Sequence, residues 1–264
     1  MGGFARQRGL LRAEVPVFRR FLAWGEKIPR IIPILFLGFL HGALYVLIIP
    51  PWQHYDEPTQ FEYAWLIANQ GTLPGPEAFD SGMRREVAAS MVEHHFFENL
   101  PAPNVLLDKP WIGISQTNDQ PLYYLVAAIP LWLLQGADIT FQLYAVRTLS
   151  LGMFLLTIWI SYKIVVEIFP RQDTLQWLVP TALALTPSFV DLMTAVNNDV
   201  GATLIFSTFL WGGTRIFTRG VTFFRLFFLL CLALACFFTK NTVFIAIPSI
   251  VFLLLLAIAQ AEPP

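Results

Sequence analysis

Seven apolar blocks set the terms on which this chain folds: residues 31–50, 121–136, 143–169, 176–195, 200–217, 222–238 and 242–258. About 20 mostly apolar residues suffice for a helix to cross the hydrocarbon core of a bilayer. Inside lipid the backbone must satisfy its own N–H and C=O groups, which a helix does within one segment. The blocks therefore predict an all-α polytopic membrane protein with about seven transmembrane helices. Composition agrees, because a chain that is 56% hydrophobic and 13% charged makes a poor water-soluble globule. Its 24 Phe and 8 Trp residues suit lipid-facing helices and interfacial belts.

Charge orients the chain. Residues 1–30 form a basic N-terminal segment, with Arg6, Arg8, Arg12, Arg19, Arg20, Lys27 and Arg30 against Glu14 and Glu26, a net +5. Basic flanks stay in the cytoplasm, so the N-terminus is predicted there. No small-residue cleavage site follows the first block, which reads as a retained anchor. One crossing then places residues 51–120 outside as a long first external loop. This loop is acidic: ten Asp/Glu against Arg84, Arg85 and Lys109 give a net −7. It also holds His54, His94 and His95, three of the four histidines.

Trp52, Phe61, Trp65, Phe79, Phe96, Phe97 and Trp111 among these charges predict an ordered loop. In FEYAWLIA, Phe61, Ala64, Trp65 and Ala68 fall at i, i+3, i+4 and i+7, the apolar face of an amphipathic helix along the membrane surface. Asp56 or Glu57 before Pro58 marks its start, and Gly71 with Pro74 its stop. A second surface helix is predicted near SGMRREVAASMVEHHF, closed by the turn-rich NLPAPN.

The apolar module runs over residues 31–258 and leaves a tail, 259–264. Seven full crossings turn Arg215, Arg219 and Arg225 outward, against the charge rule, and Asp199 inward. That conflict points to one re-entrant or misassigned block. Cys231 and Cys236, five apart in one block, lie on different faces of a helix and read as packing residues.

Several polar groups carry candidate chemistry, each beside a plainer role. Asp56 and Glu57 at the exit of the first block are either a helix cap or a reaction centre, in which one carboxylate takes a proton from an acceptor hydroxyl. Asn118, Asp119 and Gln120 before Pro121, with Tyr123 and Tyr124 after it, form either a polar helix start or part of a site. Arg147 sits inside the third block, near enough to its end to snorkel. The pauses NNDV, with Asp199, and TKNT, with Lys240, read as turns or as site residues. Glu93, His94, His95 and Glu98 lack the spacing of a zinc site, so no dedicated metal is assigned. A divalent cation held by carboxylates and a lipid phosphate stays open.

Taken together, YDEPTQFEYA (Tyr55 to Ala64), NDQPLYYL (Asn118 to Leu125), VRTLSL (Val146 to Leu151), VNNDV (Val196 to Val200) and FTKNT (Phe238 to Thr242) are similar in order and spacing to motifs of a known group. They resemble the polyprenyl-phosphate-dependent glycosyltransferases of the GT-C superfamily, in the protein O-mannosyltransferase and aminoarabinose-transferase branch. The likeness covers nearly the whole chain from about residue 31 and matches that superfamily's N-terminal seven-span module. Members usually continue with further spans, so the resemblance leaves three alternatives: a truncation with a missing C-terminal module, a split protein or a minimal relative. The branch often has His-Gln-Pro-Pro or His-Pro-Pro at the loop end, where this chain has Asp119, Gln120 and a single Pro121. A phosphate-binding role borrowed for that histidine therefore does not carry over; His54, His94 and Lys109 are the alternatives, and nothing in the sequence selects among them.

The resemblance implies sugar transfer on the outer face of a bacterial plasma membrane, from a polyprenyl phosphate sugar donor to a lipid, glycan or protein acceptor, with inversion. Asp56 would be the general base and Glu57 its neighbour; His54, Lys109, Asp119, Gln120, Tyr123, Arg147, Asp199 and Lys240 would contact substrate. Membrane lipids are implied partners and nucleic acid is not. The rival reading is a non-catalytic protein of the same fold that binds a lipid carrier or serves as an assembly subunit. A secondary transporter ranks last, because no inverted repeat is visible.

Overall fold

The computed structural model describes residues 29–98, 101, 104, 107 and 109–261. The expected cytoplasmic segment therefore falls outside the described residues except for its end, as does the last part of the 259–264 tail. Among the described residues every element is helical and none is a strand: α1 Ile31–Ile48, α2 Glu57–Gln70, α3 Ser81–Glu93, α4 Leu122–Leu133, α5 Ile139–Ile168, α6 Asp173–Leu185, α7 Pro187–Thr194, α8 Asn198–Arg219, α9 Phe223–Phe237, a 3-10 turn Asn241–Ile245, and α10 Ala246–Ala261. Two of them, α1 and α5, are long and apolar enough to cross a membrane.

Contacts fix the direction of each helix. In α1, Gly38 and Gly42 lie four apart and let α5 approach closely: a Cβ on Gly42 would meet Leu151 at 2.5 Å, and one on Gly38 would meet Ile158 at 2.7 Å. These two helices run antiparallel. Arg30 pairs with Asp173 at the start of α6, and His41 Nδ1 sits 2.8 Å from the Ala184 carbonyl near its end, so α6 climbs beside α1. Arg219 at the end of α8 grips Glu167 at the end of α5, so those two descend together. Helix α9 returns and α10 descends, with Leu253 against Gly213.

One end of the bundle therefore collects Glu57, Asp119, Asn198 and Lys240. The other collects Arg30, Lys163, Arg171, Arg215, Arg219 and Arg225 against Glu167 and Asp173.

The seven apolar blocks do not make seven end-to-end passes of the bundle. Helix α4 begins beside Phe238, whose carbonyl accepts from Leu122 N at 2.9 Å, and the chain then enters α5 at that same end. With 12 residues α4 is only about 18 Å long and packs mainly on α2, so it does not run from end to end. Removing that pass puts Asp199 with the acidic end and Arg215, Arg219 and Arg225 with Arg30, which resolves the charge conflict. The block 176–195 is itself broken, because the residue before a proline is pushed from helical to extended backbone: Thr186, before Pro187, has φ −75° and ψ 109°.

The loop helices form where the sequence places them, with one difference in character. Gly71 caps α2 in the left-handed region (φ 67°), and Asp80 caps α3 by accepting from Met83 N at 2.8 Å. Helix α3 is amphipathic, whereas α2 is covered on nearly all sides from Glu57 to Tyr63 and is not a surface helix with one free face. Single cysteines placed in a Cys231→Ala/Cys236→Ala background test the topology. Arg171→Cys and Val221→Cys should label from one side of the membrane and Tyr55→Cys from the other; residue 171 labelling with residue 55 would restore a crossing by α4.

Candidate active site

The exit of α1 sets up the site. Residues 50 and 51 are both proline, so the Val46 carbonyl loses its usual i+4 N–H donor. Arg147 of α5 supplies donors instead. Its Nη1 reaches the Val46 and Ile49 carbonyls at 3.2 and 2.7 Å, and its Nη2 the Pro50 carbonyl at 3.0 Å. Its Nε and Nη2 bind the Glu57 carboxylate at 2.9 and 2.6 Å. All five guanidinium N–H groups are thereby used. Both side chains are fully buried, and Glu57 also accepts from Val196 N at 3.3 Å, in the extended stretch between α7 and α8.

Asp56 is treated differently by the fold. It precedes α2 with φ 53° and ψ 14°, whereas a capping residue has extended backbone. Its carboxylate makes no cap hydrogen bond, so the capping role weighed from spacing does not apply. The group is half-buried, and burial first, then the charge of Asp119, raises its pKa. A carboxylate adjusted upward toward neutrality is better suited to take a proton.

Asp119 is held by a polar knot. Its Oδ2 accepts from Asn198 Nδ2 at 2.8 Å and lies 3.2 Å from the Tyr124 hydroxyl, and its backbone carbonyl accepts from the Tyr63 hydroxyl at 3.3 Å. The Tyr124 hydroxyl donates to Gln60 Oε1 at 2.6 Å, which also takes Asn198 N at 3.4 Å. The Tyr123 hydroxyl accepts from Asn197 N at 2.9 Å. Lys240 pairs with Asp199 at 2.7 Å, and Gln120 Nε2 donates to Asn241 Oδ1 at 3.2 Å.

All five sequence segments thus meet at one end of the bundle. The first joins the third through Glu57 and Arg147, the second joins the fourth through Asp119 and Asn198, and the fifth joins both through Lys240 and Asn241. Of the residues singled out from sequence, Asp56, Asp119, Gln120, Asp199 and Lys240 retain exposed surface in this cluster. Glu57, Arg147 and Tyr123 are buried behind it.

His54 is also buried, with Nδ1 3.1 Å from Asp191, and burial holds its imidazole below the usual histidine range despite Glu57 nearby. Lys109 lies elsewhere, 4.6 Å over the Phe79 ring, beside the buried Glu62–Arg84 ion pair. His94 and His95 end α3 and make no described contact with the cluster. Among the described residues no group of three or more His, Cys, Asp or Glu side chains is arranged to hold a metal ion.

Sequence reading missed Gln60, while Tyr124 was weighed beside Tyr123 and Asn198 and Asn241 entered only within the NNDV and TKNT segments. Glu57 and Gln60, three apart on one helix, already share a face, and that spacing was the available signal.

An apolar groove of about 350 Å³ runs between α4 and α9, lined by Pro121, Leu122, Leu125, Leu234 and Phe238. Its first wall residue adjoins Gln120, so it opens next to the polar cluster. A larger recess of about 640 Å³ lies along α2 and α4, past Ile67, Gly71 and Trp132, away from the carboxylates. No family model, curated protein or solved structure matches the chain.

Removing the brace should be costly whatever the site does. Arg147→Met strands the Glu57 charge and the Val46 and Ile49 carbonyls, while the Pro50 carbonyl keeps Gln53 N at 3.3 Å, and should lower unfolding free energy by about 3–5 kcal/mol. Arg147→Lys should recover little, because an ammonium has only three donors for five positions. Thermal unfolding of the purified variants in detergent checks both.

Proposed function

We propose that the chain is a membrane-embedded glycosyltransferase that moves a sugar from a polyprenyl phosphate donor to an acceptor hydroxyl, with Asp56 as general base. The observation that carries the reading is the state of Asp56. It is a half-buried carboxylate without a capping bond, raised toward neutrality, at a polar cluster that adjoins an apolar groove. A lipid-linked donor requires that juxtaposition of chain-binding groove and charged reaction centre.

In this mechanism the acceptor oxygen attacks the anomeric carbon and the bond from that carbon to the phosphate oxygen breaks. The sugar configuration inverts. Asp56 takes the acceptor proton, and the polyprenyl phosphate leaves with the bonding pair. Lys240, partly exposed beside Asp199, is the cation at the cluster available to the departing phosphate. Arg147, fully committed to its five acceptors, serves as framework. The Asn198, Tyr124 and Gln60 knot fixes Asp119, whose charge keeps the base poised.

The membrane arrangement proposed with this reading has six passes, α1, α5, α6 with α7, α8, α9 and α10, and α4 seated at the outer end. It sets the basic end in the cytoplasm and the acidic cluster outside. A bacterial plasma membrane and a donor of the polyprenyl class remain part of the proposal. The non-catalytic reading separates by experiment, since a binder retains donor without consuming it.

Membranes expressing the chain, given labelled polyprenyl phosphate sugar, should transfer label, and Asp56→Asn should reduce transfer by about 100-fold or more with folding intact. Full turnover by Asp56→Asn would overturn the general-base assignment. Transfer should decline as pH falls through the raised Asp56 pKa, because the base works deprotonated. Asp119→Asn removes a charge that raises that pKa, so its acid limb should move to lower pH; a limb that does not move would show the two carboxylates to be uncoupled.

A further inference from the structure

We propose that the end of the bundle opposite the cluster holds a binding site for the headgroup of an anionic phospholipid, built across the seam between α5 and α8 from Lys163 and Arg215. The inference rests on the six-pass membrane orientation proposed above and is independent of sugar transfer.

Two matched pairs make the site. On α5, Lys163 Nζ sits 5.2 Å over the ring of Trp159; on α8, Arg215 Cζ sits 5.2 Å over the ring of Trp211. The two indoles are 6.4 Å apart, so the pairs face each other across the seam. Because α5 and α8 descend together, both cations lie one turn beyond their indoles toward the basic end. Cations at that depth with indoles just inside match a phosphate plane above the start of the acyl chains.

These are not loose surface charges. Both side chains are half-buried, and among the described residues neither forms an ion pair. Arg215 Nε is buried and has no hydrogen-bond partner. The acid on the seam, Glu167, is hydrogen-bonded by Arg219 and by the Thr218 hydroxyl at 2.8 Å, and Arg215 acts on it only through space. A phosphodiester offers what is lacking: one negative charge, and oxygens for the guanidinium edge and the ammonium together. Leu156, half exposed and one turn above Trp159 on the same face, gives an acyl chain an apolar track. That track, with the indoles, favours a lipid over free phosphate.

The test is native mass spectrometry of the full chain, purified in detergent and stripped of lipid, titrated with phosphatidylglycerol, with phosphatidylcholine, or with inorganic phosphate. Phosphatidylglycerol should bind in preference to phosphatidylcholine. Each charge removed should cost about fivefold in affinity, so Lys163→Gln/Arg215→Gln should lose about 25-fold. Arg171→Gln, an exposed cation at the same end, should change affinity less than twofold. Should the double variant not fold, Lys163→Arg and Arg215→Lys keep both charges and should retain binding. Equal binding of the two lipids, an unchanged double variant, or displacement by millimolar inorganic phosphate would each overturn the site. Cysteine labelling keeps the two failures apart: loss of this site leaves labelling at residues 55 and 171 on opposite sides, whereas a failed orientation places them together.

Discussion

Everything at the acidic end depends on one ion pair. Arg147 and Glu57 come from segments 90 residues apart, and each removes the other's cost of burial. The pair also closes a gap that the sequence opens deliberately. Two prolines end α1 abruptly, and the Val46 carbonyl, which loses its donor to Pro50, turns toward the guanidinium with those of Ile49 and Pro50. One side chain therefore terminates a helix, starts another and, through Val196, seats the extended link between α7 and α8. Charged groups are almost never buried unless paired, so this completeness is what makes the position tolerable.

With the framework charge neutralised inside, the neighbouring position is left open for chemistry. Asp56 and Glu57 are adjacent in sequence and opposite in fate. The left-handed backbone at Asp56 turns its carboxylate from the helix start, and a non-glycine residue there stores strain that the surrounding packing must hold. Trp52, also left-handed at φ 70°, is the anchor: it is fully buried, donates to Ser90 at 2.9 Å and meets Phe61 edge-on. The turn from α1 to α2 is thus pinned by an aromatic plug and an ion pair, with the free carboxylate between them.

Much of this was legible in the sequence, and the misses have physical causes. Helix α2 was readable from Pro58 to Gly71 because proline and glycine act locally. Its setting was not, because an apolar face at i, i+3, i+4 and i+7 reports one covered side and is silent about Gln60 and Glu62 on the others. The block 121–136 was apolar enough to read as a crossing; its role was decided by Leu122 and Phe238, a contact between distant segments that no local pattern encodes. Arg147 drew attention as an ionisable residue in an apolar helix, but whether such a group faces a substrate or a carboxylate depends on what folds around it. The five segments were readable one by one, while the way Asn198 and Tyr124 join them through Asp119 and Gln60 became visible only in their bonds.

The long separation between Glu57 and Arg147 has a consequence for how the molecule is made. A chain synthesised from its N-terminus presents the carboxylate well before its guanidinium partner exists. At about 5–20 residues per second, the delay is on the order of 5–18 seconds. Through that interval neither the end of α1 nor the start of α2 can adopt its finished setting, since the carbonyls and the acid both await the same side chain. Lys240 and Asn241 arrive later still. The acidic end therefore matures only once the chain has been made past Asn241, and a nascent chain halted before α5 would carry the motif without its shape.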